Sequence, residues 1–147
     1  MSRFALVLPL LAGLILAVTS VGLAQSGPAM RDGWIRHLPG DGPLAGYLTL
    51  VNPGPQVLEL RAVRSPDFDA VHLHTTVEED GRVVMRPLES LTVPPGGEVR
   101  LAPGGHHLML MRRQRPLSVG DQVEITLEFT DGRTLTIPMP VEPAYTR

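Results

Sequence analysis

Val123-Glu124-Ile125-Thr126-Leu127-Glu128-Phe129-Thr130, then Asp131-Gly132, then Arg133-Thr134-Leu135-Thr136-Ile137: this stretch decides the fold class. Ile125, Leu127 and Phe129 alternate with polar neighbours, the two-residue period of a half-buried strand, and Asp-Gly at the tip supplies a two-residue hairpin turn. Past the N-terminal apolar run, no part of the chain sustains a helical period. Among 147 residues there are 15 prolines and 15 glycines, which interrupt the chain about every eight to twelve residues. That spacing belongs to an all-β sandwich or Greek-key barrel.

The same pattern extends outward from the hairpin. Trp34-Ile35-Arg36 is a brief strand, followed by the turn-forming Pro39-Gly40-Asp41-Gly42-Pro43. Residues 46–51 and 56–64 are strand-like, and Asn52-Pro53-Gly54-Pro55 between them suits a tight turn joining antiparallel neighbours. Residues 70–76 alternate, Val71 and Leu73 facing one way and His72 and His74 the other, and a strand over 82–86 comes next. A four-residue loop from Glu78 to Gly81 would pair Val77 with Arg82 and set His74 directly opposite Met85, with Cβ atoms roughly 5 Å apart. A two-residue Asp80-Gly81 turn would instead pair Thr76 with Met85 and leave His74 diagonal. Short strands before Pro94 and over 98–102 lead through Pro103-Gly104-Gly105 into His106-His107-Leu108-Met109-Leu110-Met111. Pro116 to Gly120 is a loop, and residues 140–147 form an extended end carrying no Cys, His or Met. The length suits one domain.

In an extended chain His107, Met109 and Met111 share one face, while His106, Leu108 and Leu110 share the other. An imidazole and two thioethers in a row suit either a core or a soft metal ion. His74 and Met85 complete a spaced set, His-x10-Met-x21-His-x-Met. This motif resembles that of the periplasmic copper chaperone family, PCu(A)C, which supplies the binuclear copper A site of cytochrome oxidase. Gly46-Tyr47, Val51-Asn52, Pro103-Gly104-Gly105 and Arg115-Pro116-Leu117 are also similar to that family, and the likeness runs from Trp34 to about Val141. The resemblance implies a cupredoxin-like Greek-key β-sandwich or barrel, copper(I) as the bound ion, and His74, Met85, His107 and Met109 as its ligands. It further implies delivery to a cytochrome oxidase subunit or another copper carrier, without enzymatic chemistry.

The residue types agree with that chemistry. Two neutral imidazoles and two neutral thioethers suit soft copper(I), and they leave its charge uncompensated, which favours release. A blue-copper electron-transfer centre would need a cysteine ligand, and the sequence has none. Each donor also has an ordinary role: methionines fill cores, and strand histidines are commonly surface residues or hydrogen-bonded. The competing reading is therefore a metal-free secreted β-sandwich that binds protein partners through an adaptable methionine face. A zinc hydrolase using His72, His74 and His107 with Glu78 or Glu79 as base leaves the methionine spacing without a purpose. His72 is an auxiliary ligand candidate, Met111 suits core packing, His106 faces away, and His37 and Met30 are incidental.

The N-terminus carries an address. Residues 4–18 form an apolar run behind Arg3 and end in the small residues before Ala24, the pattern of a secretory signal peptide over residues 1–24, with the domain occupying 25–147. An uncleaved segment would instead anchor the protein, so membrane contact is expected only through that segment or a membrane-bound partner. The expected location is the periplasm or extracytoplasmic face. There oxidation favours thioether over thiolate ligands. Loss of Arg3 takes the formal charge from −2 to −3, and the sequence contains no lysine. An acidic surface with few aromatics excludes nucleic acid as a partner.

Overall fold

The computed structural model describes residues 27–145, so the expected signal peptide over 1–24 lies outside the described residues. The strands are β1 (Ala29–Arg36), β2 (Leu44–Val51), β3 (Leu58–Arg64), β4 (Phe68–Glu79), β5 (Arg82–Pro87), β6 (Leu91–Val93), β7 (Glu98–Leu101), β8 (His106–Arg113), β9 (Gln122–Phe129) and β10 (Thr134–Glu142). No helix occurs among the described residues. The hairpin read from Val123 onward is β9 and β10, with Leu135 opposite Leu127 and Ile137 opposite Ile125.

The sheet order is β5-β4-β8-β2-β1-β10-β9-β3-β6, and an added β3–β4 contact through Val63 and Val71 closes seven of these strands into a barrel. The fold is all-β, as the turn spacing indicates, and cupredoxin-like, as the family resemblance implies. Closure removes the open edges that a flat sheet would expose. Alternation fills the interior: Ile125, Leu127 and Phe129 from β9 meet Leu108 and Leu110 from β8, Leu48 and Leu50 from β2, and Leu58 and Leu60 from β3, all buried.

The connection between β2 and β3 differs from the sequence reading. Strands β2 and β3 are not hairpin partners: β2 pairs with β1, β7 and β8, and β3 with β4, β6 and β9. Residues 52–57 carry the chain from one side of the barrel to the other. Buried Asn52 organises that passage, its amide donating to the carbonyls of Gln56 at 2.7 Å, Val93 at 3.2 Å and Pro94 at 3.1 Å. Its side-chain oxygen accepts from Gly54 N at 3.1 Å, a local turn that competes with direct hairpin formation. The extended end enters the sheet at its first three residues. Pro140, Val141 and Glu142 belong to β10, where Ile35–Val141 and Arg36–Glu142 form a parallel pairing with β1.

Candidate metal centre

Strands β4 and β8 form the floor of the site. The turn before β8 bends at Gly104, whose φ of 80° falls in the region that favours glycine. Ala102 N then donates to His106 O at 2.9 Å and starts the strand. Leu108 and Leu110 point into the barrel, and Met109 and Met111 lie half-buried on the outer face. The β4–β8 register sets His74 opposite His107, His72 opposite Met109, and Ala70 opposite Met111. The His74 and His107 rings lie 5.8 Å apart, centre to centre, and His72 follows at 6.4 Å from His74.

Met85 reaches the same face by the shorter of the two possible turns. Asp80 and Gly81 have φ of 51° and 73°, Glu79 pairs with Arg82, and Thr76 therefore pairs with Met85. His74 is opposite Pro87, so the direct His74–Met85 pairing given by a four-residue loop is corrected to a diagonal one. The physical reason is that Glu78 and Glu79 extend the strand. Glu79 forms an ion pair with Arg86 that ties the two strands together and holds its carboxyl below the usual range through that hydrogen bond. Since His74 and Thr76 share a face, the diagonal leaves Met85 on the imidazole side of the sheet.

Burial and hydrogen bonding prepare the imidazoles. The His107 ring is buried, and its Nδ1 lies 3.1 Å from the Gly105 carbonyl. A carbonyl can only accept, so Nδ1 carries the proton and Nε2 presents its lone pair. That Nε2 is buried without a hydrogen-bond partner, as is Nδ1 of His74. An unpaired buried nitrogen is costly, and a soft cation is one group that would satisfy it. Burial lowers the His74 pKa below the ordinary value of 6.5, and the neighbouring His107 and His72 lower it further. Its neutral, donating form is thereby favoured.

A cavity of about 350 Å³ opens on this face. His107, Met109 and Met85 line it together with Thr76, Tyr47 and Arg36. His74 joins the group through its ring contact with His107. Met85 is 59 % exposed, so one thioether stands at the mouth. Among the described residues no three His, Asp or Glu side chains gather into a metal-binding group, so any ion held here would rely on the thioethers. His106 lies on the opposite face of β8, Met30 packs against the core, and His37 meets the Leu117 carbonyl at 3.2 Å.

Sequence reasoning did not identify the third wall. Arg36 and Tyr47 come from β1 and β2, where the irregular register between Arg31 and Trp34 resets which side chains face outward. The alternation of Trp34 and Arg36 about buried Ile35 was the available signal.

Residues 29–141 match the LpqE-like family, described as lipoproteins. The chain belongs to this LpqE-like, PCuAC family. It is 32% identical over 122 residues to a protein named as a lipoprotein, Lxx21020 of Leifsonia xyli subsp. xyli, covering 82% of this chain and 73% of that one. Among solved structures it is similar to the copper-bound PCuAC domain of PmoF2, with 28% identity, a TM-score of 0.68, and coverage of 82% of this chain and 96% of that domain. The copper(I) form of DR1885 from Deinococcus radiodurans is 32% identical with a TM-score of 0.63, covering 85% of this chain and 83% of that one. These relatives share the cupredoxin-like fold.

Proposed function

We propose that this PCuAC-family protein is an exported copper(I) carrier that holds the ion with His74, Met85, His107 and Met109 and passes it to a copper-dependent oxidase, with the copper A centre as recipient. The observation that carries this reading is a pair of buried imidazole nitrogens without hydrogen-bond partners: His107 Nε2, on a ring that lines the cavity with the two thioethers, and His74 Nδ1, on the ring next to it. All four donors are neutral, and thioethers select copper(I) over harder ions. The copper-bound PmoF2 domain and copper(I) DR1885 support the choice of metal. The lipoprotein names of the family and of the Leifsonia relative support export. A leader over residues 1–24, removed to leave a domain from 25 onward, provides the route.

Transfer follows from where the donors stand. Met85 is exposed at the mouth and His107 is buried, so a partner's soft ligand can first replace Met85 and then draw the ion outward. The Gly105 carbonyl keeps the His107 ring in one tautomer throughout, so an arriving ion meets a donor that is already oriented. No substrate bond is broken, which makes the protein a carrier and not a catalyst.

Anaerobic competition titration with a copper(I) chelator tests the reading. The wild-type protein should take up one equivalent, and His107→Ala with Met109→Ala should reduce affinity by more than the roughly 100-fold associated with losing an outer-shell partner, with strand circular dichroism unchanged. Undiminished affinity in that folded variant would remove the assignment.

A further inference from the structure

The cavity lined by Met85, Met109 and His107 also contains a permanent positive charge. Arg36 is the only charged side chain among the described residues lining it. Its guanidinium carbon lies 5.2 Å from the centre of the Tyr47 ring and 5.7 Å from that of Trp34. These two rings, 4.8 Å apart, form an aromatic shelf that holds the cation in place. The sheet register puts Arg36 opposite Ala45 and Ala45 opposite Met109. Arg36 and Met109 are therefore two strand spacings apart, about 10 Å between backbones, with only an alanine methyl on the strand between them. Glu142, the neighbour of Arg36 on β10, lies one strand farther from the cavity, so it offsets the arginine field only in part at Met109.

We infer that Arg36 is a charge filter: its fixed guanidinium weakens the hold on any cation at the His107–Met109 donors, and does so twice as strongly in free energy for a divalent ion as for a monovalent one. The inference rests on the copper(I) reading above and assigns Arg36 a role in selectivity and release, not in coordination. Softness already favours copper(I) over zinc, but imidazoles also bind copper(II) and zinc well. A resident positive charge adds a discrimination that donor type alone does not provide. Coulomb's law over roughly 10 Å at an effective dielectric of about 40 gives about a fourfold loss of affinity for a monovalent ion and about sixteenfold for a divalent one. The same repulsion lowers the barrier to giving the ion up.

The test compares Arg36→Gln, which removes the charge, with Arg36→Lys, which keeps it. Copper(I) affinity is measured by anaerobic chelator competition and copper(II) affinity by aerobic competition, with circular dichroism confirming the fold. The expected result is about a fourfold gain for copper(I) and about the square of that gain for copper(II) in Arg36→Gln, with Arg36→Lys close to wild type. Equal gains for both ions, no gain, or an equal shift in the lysine variant would overturn the inference. A salt series separates this charge from the field of the acidic domain: between about 0.01 and about 0.3 M sodium perchlorate, copper(I) affinity should rise more, or fall less, in wild type than in Arg36→Gln, or than in Arg36→Met should the glutamine variant not fold. Equal salt dependence in wild type and the folded neutral variant would refute the filter. Failure of the underlying reading looks different, because wild-type protein would then take up no copper(I) at any salt concentration.

Discussion

The Gly105 carbonyl makes His107 a prepared donor, and the position of His74 gives the site its pH response. His74 titrates below 6.5 because it is partly buried and faces two other imidazoles, His107 across the strands and His72 along its own. Its neutral form therefore persists as pH falls through 6.5, and the share of copper(I) affinity that His74 contributes should hold there and fall at lower pH, which chelator competition at stepped pH on wild type and His74→Gln would measure. Linkage fixes the sign for the metal-free fold. Below 6.5 the unfolded chain binds a proton that the folded His74 resists, so the contribution of this residue to stability is constant above that value and is lost as pH falls through the lowered folded pKa. Urea midpoints at stepped pH should follow that course, and in His74→Gln this part of the decline should vanish. At the residue scale the chemistry was legible in the sequence, since alternation alone puts His107 and Met109 on one face. Arg36 was not, because its approach depends on pairings with β2 and β8 that no local spacing encodes.

Turns decide where the strands put those side chains. The Asp80-Gly81 turn requires positive φ at both residues, the geometry of a two-residue hairpin. Gly81→Val should cost about 1–2 kcal/mol in urea unfolding and, by disturbing the β4–β5 register, weaken copper(I) binding through Met85. If copper(I) affinity stayed at the wild-type value, Met85 would not be a donor. Asn52 acts at the same scale on the other side of the barrel. Asn52→Ala leaves the carbonyls of Gln56, Val93 and Pro94 without their shared donor, an expected loss of about 3 kcal/mol by equilibrium unfolding, with the metal site unaffected. Element positions were largely readable from proline and glycine spacing, but partners were not. Asn52-Pro53-Gly54-Pro55 has the composition of a hairpin turn and yet crosses the barrel, because β2 finds β1, β7 and β8 as neighbours. Likewise Glu78-Glu79-Asp80 has loop composition, and the cross-strand Glu79–Arg86 pair draws its first two residues into β4.

The whole molecule holds the donors by closing on itself. Met85 comes from the outer strand β5, His74 from β4, and His107 and Met109 from β8, while β1 and β2 bring Arg36 and Tyr47 to the other wall. The barrel shuts at β3–β4 and again at β1–β10, where buried Met139 and Val141 pack against the core. Ending the chain after Ile137 removes both residues and the parallel pairing, so cooperative thermal unfolding should be lost in calorimetry, and copper(I) uptake with it. A barrel without disulfides depends on this burial throughout, since the sequence contains no cysteine. The most direct measurement is X-ray absorption at the copper edge on wild-type protein loaded anaerobically with one equivalent of copper(I). Two sulfur and two nitrogen neighbours around the ion, with sulfur reduced in Met109→Ala, are the expected result; a shell of nitrogen and oxygen alone would contradict the account.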